Sequence, residues 1–415
     1  MSWRRYILII MIAIPLCGDK ILIPMDMTQT DHLKAYGIAY HTLETGMNVE
    51  WLLNFRGGSF LMDYEVHIEK NCALNGVVWE VVTPDRVLEI YQIIADNNME
   101  TILLEKAPKI AVYIPGNFEP WDDAVTLALE YAQIPYDQVW DEEVLRGSLI
   151  KYDWLHLHHE DFTGQYGKFY GNYRNTDWYK EEVRVNEEMA LKLGFEKVSK
   201  MKLAVALAIK EYIEKGGFVF SMCSACDTYD IGLAAQNTDI CHNVFDGDPY
   251  DRRANNNLDY SHCLAFENFS VILDPNIYEH SSIDVAQEAL ARGPNTYFSL
   301  FDFSAKFDPV PCMLVQNHSS LVKEFLGQCS GFRRTTIKPS ALILAEVSET
   351  EEVKYLHGNY GKGTFTYLAG HDPEDYQHFV GDPPTELKYY KNSPGYRLIL
   401  NNVLFPAARK KEQKT

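Results

Sequence analysis

Apolar runs of strand length alternate with helical stretches along most of this 415-residue chain. The clearest runs are 109–114, 152–157, 218–222 and 363–369, and helical patterns follow them. Strands that alternate with helices pair in parallel and bury their faces beneath those helices. The chain is therefore predicted to form an α/β fold with an open parallel sheet and helices on both faces.

The chain divides into three predicted parts. Residues 1–18 resemble a signal peptide, because Arg4 and Arg5 precede an apolar run too short to span a bilayer. Residues 19–106 are predicted to form an N-terminal α/β unit with its own parallel sheet. Residues 107–410 are predicted to form the main domain, with a loop-rich insertion at 236–335.

The first segment carries the prediction about location. We expect an exported, periplasmic protein with no membrane contact beyond this segment, although a buried first strand is the alternative interpretation. Cys17 would make a lipoprotein, but Ile14-Pro15-Leu16 is a poor match to the small residues that precede a lipid-modified cysteine.

Composition limits the partners. The chain has 38 Lys+Arg and 58 Asp+Glu, a net charge of −20, so a nucleic-acid partner is excluded by the lack of a basic stripe. The cysteines after Cys17 have irregular spacings that do not indicate a disulfide framework. We expect a small-molecule ligand or substrate and no cofactor, and we leave a homo-oligomer open.

Ligands of open parallel sheets bind beyond the carboxyl ends of the strands. That rule selects four short segments for attention, namely 56–59, 158–161, 221–225 and 370–372.

Cys223 follows a strand and precedes a helix, which is the arrangement of a nucleophile elbow. The helix N-terminus beyond it, including Ser224, would favour a thiolate and hold an oxyanion. The elbow glycine positions are occupied by Ser221 and Ala225, which are small but not glycine. Cys226 makes a C-x-x-C pair, so a redox pair and two buried structural thiols are the alternatives.

His371 follows a later strand, where a cysteine enzyme needs its base. Glu374, three residues on, would orient the imidazole, and Asp372 is the other candidate for that role. A surface turn is the alternative interpretation of this segment.

His158, His159, Glu160 and Asp161 form the densest cluster of polar side chains. Adjacent residues leaving a strand point to opposite sides, so at most two of them could share a metal, and no zinc spacing is present. We therefore predict ligand contacts and no metal here. Arg56 and Ser59 flank two glycines and could bind an anion through backbone amides.

The order of these elements resembles the class I glutamine amidotransferase-like superfamily, whose fold is flavodoxin-like. Residues 361–372 and 400–405 look especially like the trehalose-utilisation (ThuA-like) branch. The resemblance implies Cys223 as nucleophile, His371 as its histidine, and Glu374 or Asp372 as carboxylate. The missing elbow glycines depart from the family pattern, as does the wide separation of Cys223 from His371.

The whole chain, with 32–40 and 51–60, also looks like an exported Bacteroidetes-type family often labelled asparagine synthetase B. The residues do not support that label. Such a synthetase needs cysteine at position 2, where this chain has Ser2, and an ATP pyrophosphate loop that 57–60 does not provide.

Two functions follow as hypotheses. In the first, Cys223 attacks an amide or related acyl carbon and His371 transfers the proton. In the second, the same cleft binds a small, sugar-like ligand without chemistry, and aromatic residues stack on it. The aromatic candidates are Trp154, Tyr166, Tyr170, Tyr173 and Trp178.

Overall fold

A computed structural model describes residues 18–115 and 123–408. The predicted signal segment, which includes Cys17, lies outside the described residues except for Gly18. Within the described ranges, no helix combines the length and the apolar character needed to cross a membrane.

The N-terminal unit contains a five-stranded sheet, sheet A, in the order β4-β1-β3-β2-β5. Its strands are β1 (Lys20–Ile23), β2 (Val49–Leu53), β3 (Ser59–Asp63), β4 (Glu80–Val82) and β5 (Glu100–Leu104). Its helices are α1 (His32–Glu44), α2 (Val66–Asn75) and α3 (Pro84–Asp96).

Sheet A is antiparallel at every pairing, so the predicted parallel sheet for this unit was wrong. Strand β3, which follows β2 after a tight turn, was not predicted from the sequence. Asn54, Arg56, Gly57 and Gly58 all have positive φ in that turn. A connection this short joins antiparallel strands, because a parallel pair needs a crossover of about a dozen residues.

The second sheet, sheet B, has ten strands. They are β6 (Ile110–Tyr113), β7 (Asp137–Val139), β8 (Trp154–Leu157), β9 (Phe218–Met222), β10 (Tyr297–Leu300), β11 (Leu321–Lys323), β12 (Phe332–Arg333), β13 (Leu342–Glu346), β14 (Glu352–Tyr360) and β15 (Gly363–Leu368). The accompanying helices are α4 (Ala124–Tyr131), α5 (Asp141–Leu145), α6 (Tyr170–Tyr173), α7 (Asp177–Lys192), α8 (Val198–Glu214), α9 (Ala225–Ala234), α10 (Asn243–Asp246), α11 (Ala286–Arg292), α12 (Pro309–Leu314) and α13 (Pro394–Leu404).

Strands β7-β6-β8-β9-β15 form the parallel part of sheet B. Counted in chain order within this part, the arrangement is 2-1-3-4-5, which is the flavodoxin-like order. The predicted fold class is confirmed. Beyond β15 the sheet continues as β14, β13, β10 and β11 with antiparallel pairings, an extension that the sequence pattern did not indicate.

The parallel strands separate two hydrophobic cores. Phe218, Phe220 and Met222 of β9 face a core that also contains apolar residues of sheet A, α1 and α13. Val219 faces the opposite core, which contains residues of α8 and α9. Strand side chains alternate between the faces of a sheet, so β9 is buried on both sides and its carboxyl end is held rigidly.

Candidate active site

Cys223 occupies a strained position between β9 and α9. Its φ is 50°, a left-handed value that non-glycine residues rarely adopt and that costs about 1–3 kcal/mol. Its backbone N–H donates to Gly370 O at 3.1 Å, and the amide of Ala225 donates to His158 O at 3.0 Å. The surrounding loops therefore hold the strained turn in place, as a nucleophile elbow requires.

Three imidazoles surround the Cys223 thiol. His158 and His159 leave the end of β8, and His371 leaves the end of β15, so both neighbours of β9 contribute. His158 Nε2 lies 3.2 Å from His371 Nδ1, and the His158 and His159 rings stack at 4.0 Å. The structure thus brings together Cys223, His158, His159 and His371 from the predicted set.

The expectation that His158 and His159 point to opposite sides was wrong. One ring nitrogen of each imidazole lies within 4.8 Å of the Cys223 sulfur. The alternation of side chains holds only within a strand, and β8 ends at Leu157, before either histidine.

The carboxylate of the cluster belongs to Asp123, which is not among the predicted site residues. Asp123 Oδ1 lies 3.1 Å from His158 Nδ1, and Oδ2 lies 3.1 Å from His156 Nε2. The side chain also caps α4 by accepting the amides of Val125 and Thr126. An acidic residue before a helix is an ordinary N-cap signal, so nothing in the sequence marked it as a partner of His158.

Electrostatics distinguish the groups around the sulfur. Burial raises the pKa of a thiol, but hydrogen bonds from His158, His159 and His371 hold the pKa of Cys223 well below its usual range. Burial lowers the pKa of a histidine, but Asp123 raises the pKa of His158 above its usual value. Burial and the neighbouring His158 lower the pKa of His159 to about 4. The arrangement favours a thiolate beside an imidazolium at His158.

The predicted carboxylate partners of His371 have other contacts. Glu374 bonds Ser393, the N-cap of α13, and burial raises the pKa of Glu374. Asp372 accepts the Tyr396 hydroxyl at 2.9 Å and the Glu374 amide at 2.8 Å. These contacts brace the loop after β15. Asp123, which contacts His158, therefore takes the role of imidazole-orienting carboxylate that was predicted for Glu374.

Ser224, Glu160 and Asp161 differ in their surroundings. Ser224 is buried at the N-cap position of α9, directly after the thiol. Asp161 accepts the amides of Thr163, Gln165 and Gly167, so it organises its own loop. Glu160 is 9 % exposed, and burial, with Asp141 and Glu182 nearby, raises its pKa to about 8.

A cavity of about 310 Å³ lies beside the histidines. His158, His159, Glu160 and Asp161 line it together with residues from β6, α4, α7 and α8. Of the aromatic residues proposed to stack on a ligand, Tyr166 lines the cavity. Trp154 has no exposed surface because it packs in the core beneath the sheet.

Tyr170, Tyr173 and Trp178 belong to a separate hydrophobic cluster that also contains Tyr166. The Phe169 ring, which lines the cavity, packs against Trp178 with centroids 5.3 Å apart.

Arg56 and Ser59 lie in the turn of sheet A. Arg56 is paired with Asp26 and Glu80, both at 2.6 Å, and the Ser59 hydroxyl donates to Phe55 O. These contacts give both residues a structural role in the turn, and anion binding there stays a prediction.

The same four side chains around the thiol could hold a metal. One ligand atom from each of His158, His159, Cys223 and His371 lies within 4.8 Å of the others. Imidazole nitrogens and thiolate sulfur are zinc ligands, and a carboxylate behind a ligating histidine is a common second partner, as Asp123 is to His158. These four side chains are candidate metal ligands, and the expectation of no metal stays a prediction.

Cys226 contrasts with Cys223 within one turn of helix. Burial raises the pKa of the Cys226 thiol, whose Sγ faces Leu368 O at 3.7 Å. All the cysteines among the described residues are free thiols.

Comparisons with known proteins add little. No family model matches the chain, and no curated protein matches it. Cytoplasmic proteins STM3548 and STM1381 from Salmonella typhimurium are 13% identical and match 73% and 72% of this chain and 100% of their own, with TM-scores of 0.37 and 0.34. A GH42 β-galactosidase, Gan42B, is 11% identical over 64% of this chain and 28% of its own, with a TM-score of 0.28. At such scores these similarities carry no argument.

Proposed function

We propose that this protein is a cysteine hydrolase of amides or esters, with Cys223 as nucleophile. The observation that carries the proposal is the strained elbow at Cys223, whose sulfur is surrounded by three imidazoles. A strained nucleophile between a buried strand and a helix N-terminus is the arrangement that exposes a reactive atom to a carbonyl. The proposal agrees with the amidotransferase-like resemblance of the sequence.

In the proposed reaction, Cys223 Sγ attacks the carbonyl carbon and forms a tetrahedral intermediate. That intermediate expels the amine or alcohol, which takes the proton held by His158, and leaves a thioester on Cys223. Water then attacks the thioester while His158 accepts its proton, which releases the carboxylic acid and restores the thiolate–imidazolium pair. Asp123 positions His158, and His159 and His371 remain as further imidazoles at the sulfur.

Two backbone groups could hold the oxyanion. The Gln328 amide points at Cys223 Sγ with a distance of 3.4 Å. The Ser224 amide directly follows the nucleophile at the start of α9, which is the position that contributes to the oxyanion hole of nucleophile elbows. Ser224 and Gln328 are both buried, and donors fixed in a water-excluded site stabilise the charge of a transition state.

The first experiment is iodoacetamide labelling of native protein as a function of pH, followed by peptide mass spectrometry. We expect Cys223 to react with an apparent pKa well below the ordinary ~8.5 of a free thiol, while Cys226 reacts only after unfolding. The matched variants Cys223→Ala and Cys226→Ala then separate the two thiols in p-nitrophenyl ester hydrolysis. Cys223 that reacts only after unfolding, or ester hydrolysis that survives Cys223→Ala, would overturn the proposal and leave a binding module.

The ligand geometry supports a second candidate, a zinc site made by His158, His159, Cys223 and His371. Equilibrium dialysis against Zn²⁺ should then give one bound ion per chain, lost in His159→Ala and retained in Cys226→Ala. Zinc should also protect Cys223 from iodoacetamide. Labelling that Zn²⁺ leaves unchanged, with no bound ion, would contradict this candidate.

A further inference from the structure

The cavity beside the histidines is lined by many more acidic side chains than basic ones. Lys202 is the single Lys or Arg among its described lining residues. Its carboxylates come from three segments of the chain: Asp123 and Glu130 from α4 and its cap, Glu160 and Asp161 from the loop after β8, and Glu182 from α7. Asp123 is engaged by His156 and His158, and Asp161 by loop amides, which leaves Glu160 as the buried carboxylate facing the space.

Lys202 does not neutralise Glu160 fully. Its Nζ lies 3.1 Å from both oxygens of Asp141 and 3.2 Å from the Tyr113 hydroxyl. Glu160 Oε2 is farther away, at 3.6 Å. Burial, with Asp141 and Glu182 nearby, raises the pKa of Glu160 to about 8, so the ligand-free carboxyl group is largely protonated at neutral pH, and a cation bound beside it would stabilise its ionised form.

The surroundings of Lys202 show how a cation is held beside this cavity. Lys202 Nζ lies 5.4 Å from the ring centroids of both Tyr113 and Trp140. Tyr136, Tyr166 and Phe169 line other parts of the same space. Aromatic faces with nearby carboxylates attract ammonium and guanidinium groups, and the attraction grows when water is excluded.

We propose that this cavity selects substrates that carry an alkylammonium or guanidinium group, with Glu160 as the carboxylate that binds it. The inference rests on the proposed hydrolase function. His159 and Glu160 are consecutive, so a cation held at Glu160 lies next to the imidazoles that surround the Cys223 thiol. Substrates would therefore be amides or esters that carry a basic group, such as a lysine-type side chain.

The test compares two esters whose side chains share a four-carbon chain and differ by the terminal ammonium group, the p-nitrophenyl esters of Nα-acetyl-lysine and Nα-acetyl-norleucine. We expect kcat/KM for the lysine ester to exceed that for the norleucine ester by about 10- to 100-fold, as one buried hydrogen bond to a charged group allows. Glu160→Gln should bring the ratio close to one. Glu181→Gln serves as the control, because Glu181 lies on the solvent face of α7 and pairs with Arg184, and it should leave the ratio unchanged.

The outcomes separate this inference from the hydrolase proposal. Cys223-dependent hydrolysis of both esters at equal rates would overturn cation selection and leave the hydrolase standing. If neither ester is hydrolysed, the hydrolase proposal fails, and calorimetric titration with 1,4-diaminobutane still tests the cavity. Binding that is lost in Glu160→Gln and retained in Glu181→Gln would support the cation site, whereas no binding to wild type would refute it. A lysine preference that Glu160→Gln retains and Glu160→Ala loses would show a neutral hydrogen bond at this position, which also contradicts the inference.

Discussion

Two clusters of buried or partly buried histidines have opposite electrostatic environments. In the first, His158, His159 and His371 surround the Cys223 thiol, and Asp123 raises the pKa of His158. In the second, the rings of His32 and His318 stack at 4.2 Å beside Arg397, which has no exposed surface. The first cluster combines a carboxylate, imidazoles and a thiol, whereas the second combines imidazoles with a cation.

The second cluster joins sheet A to α13. Arg397 donates to the carbonyls of Met25 and Gly57 at 3.1 and 2.8 Å and bonds the His318 ring at 3.0 Å. Burial and Arg397 lower the pKa of both histidines, to about 4 for His32 and about 3 for His318. Neutral imidazoles beside a fixed cation can pack and accept hydrogen bonds but cannot store a proton. The difference shows that Asp123 raises the pKa of His158 despite burial, whereas burial beside Arg397 lowers the pKa of His32 and His318.

The largest expected effect distinguishes His158 from His371. His158→Gln should lower kcat/KM for ester hydrolysis by about 10³–10⁴-fold, because it removes the imidazole that Asp123 keeps protonated. His371→Gln should cost about 10–100-fold, since His371 contacts the sulfur without Asp123 behind it. A larger loss in His371→Gln than in His158→Gln would show that His371, as predicted from the sequence, is the histidine that transfers the proton.

Asp123→Asn tests the carboxylate alone. Asparagine caps a helix as well as aspartate does, so α4 should stay intact. We expect kcat/KM to fall about 10²–10³-fold and the pH of half-maximal Cys223 alkylation to rise, because His158 no longer holds its proton as firmly. An unchanged pH profile would show that Asp123 only caps the helix.

Arg397→Met tests the structural cluster. It leaves the carbonyls of Met25 and Gly57 without their donor, and we expect the free energy of unfolding to fall by about 2–4 kcal/mol. Urea unfolding measures the change, and Arg86→Met on exposed α3 should cost less than about 1 kcal/mol. Labelling of Cys223 in the folded variant should stay at the wild-type rate.

The smallest effect is the acid sensitivity of the structural cluster. Unfolded histidine titrates near pH 6.5, and His32 and His318 resist protonation while folded, so the unfolded state binds more protons as pH falls below 6.5. The contribution of His32 and His318 to the free energy of unfolding is complete above that pH and is lost as the pH falls toward their pKa values in the folded protein. Lowering the pH from 7 to 5 should reduce the free energy of unfolding by about 2 kcal/mol through these two histidines, after allowance for solvent screening. His318→Gln should shrink this pH-dependent part in urea unfolding at both pH values, and an undiminished dependence would contradict the assignment.

The sequence predicted the parts of the site that depend on local order. A thiol placed between an apolar run and a helical pattern predicted the elbow at Cys223, and a histidine after a later strand predicted the position of His371. The carboxylate could not be predicted, because Asp123 looks like any other helix cap. Its partner His158 lies 35 residues farther along the chain, and only strand order brings them together.

The local sequence pattern and the pairing of distant segments thus determined different features of this protein. The sequence by itself determined which segments are strands and helices along most of the parallel part, because hydrophobic periodicity and capping residues act over a few neighbours. Only the tertiary structure decided that sheet A is antiparallel, that β14 extends sheet B beyond β15, and that Asp123 serves His158. These features depend on contacts between segments distant in the chain, and such contacts leave no periodic signal in the residues that make them.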